Sequence, residues 1–137
     1  MKKLSFGKYE DLVLLIIRVI FVILFLISGW GKLTAFQGTV NYMSHVGAPF
    51  PMIAAIIAII VEIGFSIAVI LGYYIRPVSL IFTLFTIGTG ILGHPYWHMS
   101  GLEAHDALLQ FYKNISIACG FVLLFITGSG NYSLNNK

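Results

Sequence analysis

Residues 12–29 read LVLLIIRVIFVILFLISG, and residues 52–71 read MIAAIIAIIVEIGFSIAVIL. At a rise of about 1.5 Å per residue, runs of this length cross the hydrocarbon of a bilayer as helices. Each run is broken by one charge, Arg18 in the first and Glu62 in the second. An ionised side chain in hydrocarbon costs at least ~2.5–3.5 kcal/mol, so such residues face a bundle interior, pair with each other, or mark a site. The space between these two helices is therefore the first place to look for function.

Composition agrees with a membrane protein. Of the 137 residues, 58% are hydrophobic and 9% are charged, against roughly 25% charged in a soluble domain. Two more apolar runs follow, 78–93 and 108–127, the last containing Gln110, Lys113 and Asn114. The reading is an all-α fold, a single domain over 1–137. It is a polytopic bundle of four transmembrane helices spanning 12–29, 52–71, 78–93 and 108–127. The first run is too long for a signal-peptide core, and no small-residue cleavage site follows it. The net charge of +3 is small and sits mostly near span ends. It excludes a nucleic-acid partner and leaves the lipid bilayer as the first one.

The connection 31–51 carries Leu33, Phe36, Val40 and Met43 at spacings of three and four. That pattern predicts a short interfacial helix between spans 1 and 2, either a structural elbow or a lid over an outward-facing cavity. Within the spans, polar and small residues recur at helical spacing: Ala58, Glu62 and Ser66; Ser79, Thr83, Thr86, Gly90 and His94; Asp106, Gln110, Asn114 and Ala118. Four such stripes facing inward predict a bundle with a polar interior.

Arg18 lies ~9 Å and Glu62 ~14 Å from the inner ends of their helices, a difference that an arginine side chain spans. An Arg18–Glu62 ion pair is the resulting expectation, either as a structural pin or as a functional charge that holds a headgroup or moves a proton. Arg18, Glu62, Lys113, Asn114 and His94 form the candidate ligand site, and no catalytic residue can be named. A quinone is the cofactor such a site would suit, its headgroup near Glu62, Asn114 and Lys113 and below His94. His94, His98, His105, Glu103 and Asp106 have the chemistry of metal ligands. However, Pro95 spoils the regular spacing of His94 and His98, so no metal site is expected. Cys119 has no second cysteine with which to form a thiol relay and reads as a packing residue.

The order of several short motifs resembles the DoxX family of small four-helix bacterial inner-membrane proteins. They include Arg18, Ser28-Gly29-Trp30-Gly31-Lys32, Gly47-Ala48-Pro49-Phe50-Pro51, Glu62, Arg76-Pro77, His94-Pro95-Tyr96-Trp97, Lys113-Asn114 and Gly128-Ser129-Gly130. The resemblance implies an inner-membrane location. It also implies an accessory or quinone-interacting subunit in membrane redox or thiol-stress metabolism, with a redox-enzyme partner or a homo-oligomer. A carrier or channel for a small polar solute, or a non-catalytic scaffold, are the alternatives. The resemblance supplies no catalytic residues.

Lys2, Lys3, Lys8, Arg76 and Lys137 fall on one side of the four-span arrangement. The positive-inside rule puts that side, with both termini, in the cytoplasm. A cysteine placed at Ser100 should then react with an impermeant label in intact cells. Labelling only after lysis would reverse the orientation.

Overall fold

The computed structural model describes residues 6–135, so Lys2, Lys3 and Lys137 lie outside it. A 3-10 turn, Gly7–Tyr9, opens α1, Glu10–Thr34. The short helix α2 is Phe36–His45. The second span consists of α3, Pro51–Ile59, a π-helical turn, Ile60–Phe65, and α4, Ser66–Leu71. Then come α5, Ile75–Gly93, a 3-10 turn, Tyr96–His98, and α6, Gly101–Thr127. Four of these helical stretches are long and apolar enough to cross a membrane.

Proline and glycine set several boundaries. Pro51 opens α3, where its missing N–H has no intrahelical partner to lose. Gly72 ends α4 in the left-handed region (φ 65°), a conformation that favours glycine. A Cβ on Gly72 would also run into Arg18 and Ser133. The fourth helix begins at Gly101, a full two turns before the apolar run that marks it in the sequence. Its first turns carry Glu103, His105 and Asp106, all exposed. These residues are helical rather than part of a loop, and among the described residues no three histidines, cysteines or acids come together.

The centre of the bundle is aromatic. The Phe82 and Phe121 rings stack at 4.4 Å between centroids, and Phe25 packs against them at 4.9 and 5.7 Å. Val22, Val61, Val69, Ile75, Val78 and Leu124 complete this core. The inward stripes of the second and third spans are buried as their spacing predicts: Ala58, Glu62 and Ser66, then Ser79, Thr83, Thr86 and Gly90. On the fourth, Ala118 is buried and Asn114 half-buried, whereas Asp106 and Gln110 are exposed. Cys119 is exposed on the outside of α6, so it is not a packing residue.

The short helix α2 packs inward. Met43 joins Ala48, Ala55 and Ala58 in a second apolar cluster, with Phe36 and Val40 against it. The alanines let the helix approach the second span closely. Leu33 belongs to α1 and is exposed. The short non-spanning helix expected between the first two spans is thus present, and its apolar face packs on the second span.

Arg18 is fully buried, but it does not meet Glu62. Its Nη1 donates to the carbonyl of Val69 at 3.2 Å, and its Nη2 donates to the carbonyl of Tyr132. Side chains on a helix lean toward its N-terminus. On antiparallel helices, Arg18 leans toward the end of the bundle where the termini lie, and Glu62 leans the other way. The arginine therefore reaches the last turn of the second span, where the Val69 carbonyl also accepts the Gly72 N–H at 3.1 Å. The chain after α6 folds back to meet it. The Leu134 N–H donates to the Leu71 carbonyl at 2.9 Å, and the Asn131 N–H and side-chain amide both donate to the Asp11 carboxylate at 2.9 Å. One guanidinium thus ties α1, α4 and the returning tail.

Arg18→Met should lower the stability of the bundle by about 3 kcal/mol, the scale of one or two hydrogen bonds to a charged group. That loss should add to the loss from Glu62→Gln, because the two side chains share no partner. A double-mutant cycle on unfolding in detergent measures both. Strong coupling would mean that the charges do meet.

Candidate functional site

The second buried charge finds its partner at the other end of α1. Lys32 Nζ lies 2.9 Å from Glu62 Oε2 and donates to Oε1 at 3.1 Å. It also donates to Ser28 Oγ at 2.6 Å, and Ser28 Oγ donates to Glu62 Oε1 at 3.1 Å. The lean of helical side chains again explains the choice. Lys32 points down α1 toward Ser28, one turn earlier, while Glu62 points up its own antiparallel helix. α1 runs on to Thr34, so Lys32 lies inside the helix, not in the loop beyond residue 29. The Ser28–Lys32 spacing of four residues was the sequence signal for this pair.

The backbone is adapted at this point. Glu62 sits in the π-helical turn Ile60–Phe65. Such single turns interrupt α-helices frequently at functional sites. Gly29 faces it: a Cβ there would lie 2.9 Å from Glu62 Cβ and 2.7 Å from Ile63 Cγ1. α1 and the second span therefore touch backbone to side chain just where the ion pair forms.

Above the phenylalanine core, the bundle opens into a cavity of about 280 Å³. Glu62, Lys32 and Ser28 form one wall, and His94, Lys113 and Asn114 form the opposite one. Four of the five residues singled out from sequence thus converge, and Arg18 is the exception. Phe25 and Phe85 supply apolar floor and side, and Tyr42 and Met43 of α2, with Val46 just after it, also line the cavity. That placement makes α2 part of the cavity wall as well as an elbow.

Each polar wall has its own anchoring. The Asn114 amide donates to the Thr86 carbonyl at 3.2 Å and to Thr89 Oγ1 at 3.4 Å, and its Cβ abuts Gly90. One amide edge is therefore fixed on α5. His94 follows the last turn of α5, its N–H on the Gly90 carbonyl at 3.0 Å. The Lys113 ammonium has no hydrogen-bond or ion-pair partner among the described residues. The loop below His94 is held by edge-to-face contacts of Tyr96 and Trp97 with Phe111, at 5.5 and 5.6 Å. Chemically, the cavity offers a free ammonium, an oriented amide and a paired carboxylate beside aromatic rings.

Four spans closed around a polar cavity, with lipid-facing isoleucines and leucines outside, define a small multi-pass membrane protein. The chain belongs to the DoxX family, whose profile matches residues 13–95. That stretch contains Arg18, Ser28, Lys32, Glu62 and His94. The chain is 44% identical over 133 residues to the inner membrane protein YphA of Escherichia coli K12, covering 97% of this chain and 95% of the relative. It is 38% identical over 128 residues to the inner membrane protein YqjF of the same organism, covering 93% of each. No solved structure matches it. It is accordingly an inner-membrane protein, and the bilayer is its surrounding partner.

Lys32→Met should cost about 3 kcal/mol, the low end for breaking a buried ion pair, because Glu62 is left charged in the interior. A quarter of the Lys32 side chain is exposed, which keeps the loss from being larger. Lys32→Met with Glu62→Gln together should cost less than the sum. A double-mutant cycle in detergent reads the coupling, and additive losses would dissolve the pair.

Proposed function

We propose that this protein is a quinone-interacting accessory subunit in membrane redox or thiol-stress metabolism. The observation that carries the reading is the cavity itself. It sets a free lysine ammonium and an oriented asparagine amide opposite a buried ion pair, with phenylalanine rings beside them. A quinone headgroup is a flat ring with two carbonyl acceptors. Lys113 supplies a donor for such a carbonyl, Asn114 Oδ1, its Nδ2 being held by Thr86 and Thr89, supplies an acceptor for the hydroxyl of the reduced ring, and Phe25 and Phe85 supply faces for the ring. At about 280 Å³, the space lies near the lower end for small-molecule sites, the size of a headgroup rather than a whole lipid.

A bound quinone supplies an acceptor for two electrons and two protons, with the electrons coming from a partner redox enzyme. This chain's own residues do the remaining work. Lys113 and Asn114 orient the ring. Ser28 Oγ, bridging Lys32 and Glu62, keeps the carboxylate oxygens within a hydrogen-bonded relay able to hold a proton. α2 limits the entry of water from above. Under this reading the cavity opens toward the periplasm, and both termini lie in the cytoplasm.

A solute carrier or channel is the second reading, and the packing argues against it. Phe25, Phe82 and Phe121 fill the middle of the bundle below the cavity. The tail after α6 folds over the far end.

The test is direct binding of a short-chain quinone to the detergent-purified protein. Lys113→Met should weaken quinone binding about tenfold, the equivalent of one lost hydrogen bond of ~1.4 kcal/mol, and Asn114→Leu should do the same for the corresponding quinol. The exposed surface variant Gln37→Ala should leave it unchanged. Absence of binding, or equal binding by all variants, would reject the reading.

A further inference from the structure

Among the described residues, five buried side-chain atoms have no hydrogen-bond partner: Arg18 Nε, Glu62 Oε2, Ser66 Oγ, Ser79 Oγ and Thr86 Oγ1. Two of them belong to residues that line the polar cavity, Glu62 and Thr86. Thr86 is only 2% exposed. Its neighbours on α5 spend their hydroxyls on the helix itself. Thr83 Oγ1 donates to the Ser79 carbonyl at 2.9 Å, and Thr89 Oγ1 donates to the Thr86 carbonyl at 3.1 Å. Such a bond is the local option open to a threonine inside a helix, and Thr86 does not take it. Glu62 Oε2 lies 2.9 Å from Lys32 Nζ, yet without the alignment of a hydrogen bond, so this oxygen keeps its capacity to accept one.

A third oxygen joins these two. Asn114 spends Nδ2 on the Thr86 carbonyl and on Thr89 Oγ1, and nothing among the described residues donates to its Oδ1. The bond to a backbone carbonyl fixes which edge of the amide is which, because a carbonyl only accepts. It also places Asn114 beside Thr86. The other unpartnered polar side chains of the cavity, Lys113, Gln110 and Tyr42, belong to exposed residues, and half-buried His94 offers either sense according to its tautomer. The buried lining therefore presents two acceptors and one hydroxyl, while the free ammonium stands at the exposed part.

We propose that Thr86, Asn114 and Glu62 form a subsite for a ring hydroxyl, so that the cavity holds a hydroquinone in preference to the quinone. This rests on the headgroup reading above and adds the redox state of the ligand to it. A hydroxyl both donates and accepts. It donates to Asn114 Oδ1, with Glu62 Oε2 as the second acceptor in the cavity, and it accepts from the Thr86 hydroxyl. A quinone carbonyl accepts from Thr86 but sets its lone pairs against those of the amide and the carboxylate. In a buried lining that mismatch forfeits a hydrogen bond with nothing to replace it. The opposite ring oxygen accepts from Lys113 in either state. Tighter binding of the reduced form raises the potential of the bound couple, by about 30 mV for a tenfold preference when two electrons are exchanged. The bound ligand is then easier to reduce than the free one, which suits a chain that serves a quinone-reducing partner.

The experiment measures anaerobic binding of tetramethylbenzoquinone, its hydroquinone and the dimethyl ether of that hydroquinone to the detergent-purified full chain, with affinities corrected for partition into the micelle. Wild-type protein should bind the hydroquinone about tenfold more tightly than the quinone. The ether keeps both ring oxygens but has no hydrogen to donate, and it should bind no more tightly than the quinone. Asn114→Leu should remove most of the preference, and Glu62→Gln should narrow it. Thr86→Val removes a hydroxyl that bonds to nothing else among the described residues, so folding does not depend on it. That variant should weaken both redox forms by a similar factor, about fivefold. Equal affinities for the two forms, or a preference that survives both Asn114→Leu and Glu62→Gln, would overturn the hydroxyl subsite while leaving the headgroup reading in place. An ether that binds as tightly as the hydroquinone, or a Thr86→Val variant that binds like wild type, would do the same. If Glu62→Gln fails to fold for want of its ion pair, the other two variants and the ether decide the matter. Wild-type protein that binds neither redox form rejects the subsite and the headgroup reading together.

Discussion

Everything in this bundle depends on satisfying polar groups without water. In hydrocarbon an unpaired donor or charge has no solvent to fall back on. The protein resolves this at two heights with two separate devices. At one end Arg18 donates from Nη1 and Nη2 to the carbonyls of Val69 and Tyr132, while its buried Nε has no partner. At the other, Lys32 and Ser28 enclose the Glu62 carboxylate. The first device closes the bundle and the second leaves it open. Because Arg18 is occupied by backbone, Glu62 is free to pair with a lysine at the cavity wall, and the wall acquires its polarity from that choice.

The contrast between the two ends also separates a fastening from an opening. Arg18 contacts the C-terminal end of a helix and a tail that itself holds Asp11, a set of contacts that fastens elements together. Glu62 sits in a π-turn that costs helix regularity and is pressed by Gly29. A helix bears such an irregularity where a side chain has to be held at a position the α-helix does not offer. The cavity is next to the irregularity, not next to the fastening.

Much of this was legible in the sequence, and what was missed has a physical cause. Apolar length revealed four spans, and helical spacing put Glu62, Ser66, Ser79, Thr83 and Thr86 on inward faces. Glu62, His94, Lys113 and Asn114 were grouped by depth, and they do line one cavity. The partner of Glu62 was misread because depth along a helix was counted at the Cα. The direction of the side chain, opposite on antiparallel helices, decides whether a long residue reaches up or down. Lys32 gives no sign of being a partner in the sequence because hydropathy ends a span where the apolar run ends, whereas hydrogen bonding carries α1 to Thr34. The same error placed the start of α6 too late. The role of the segment after Gly128 was invisible, since its carbonyls carry no residue-type signal.

The tail contact has a consequence for biogenesis. Tyr132 stands 114 residues after Arg18 in the chain. Synthesis therefore delivers the buried arginine to the membrane long before one of its two acceptors exists. Until then the guanidinium must stay near the headgroups, where the flexible stem of an arginine lets it snorkel. The first span thus enters the bilayer provisionally and settles to its final depth only when the last residues arrive. A chain stopped after α6 would leave Arg18 Nη2 without its Tyr132 acceptor.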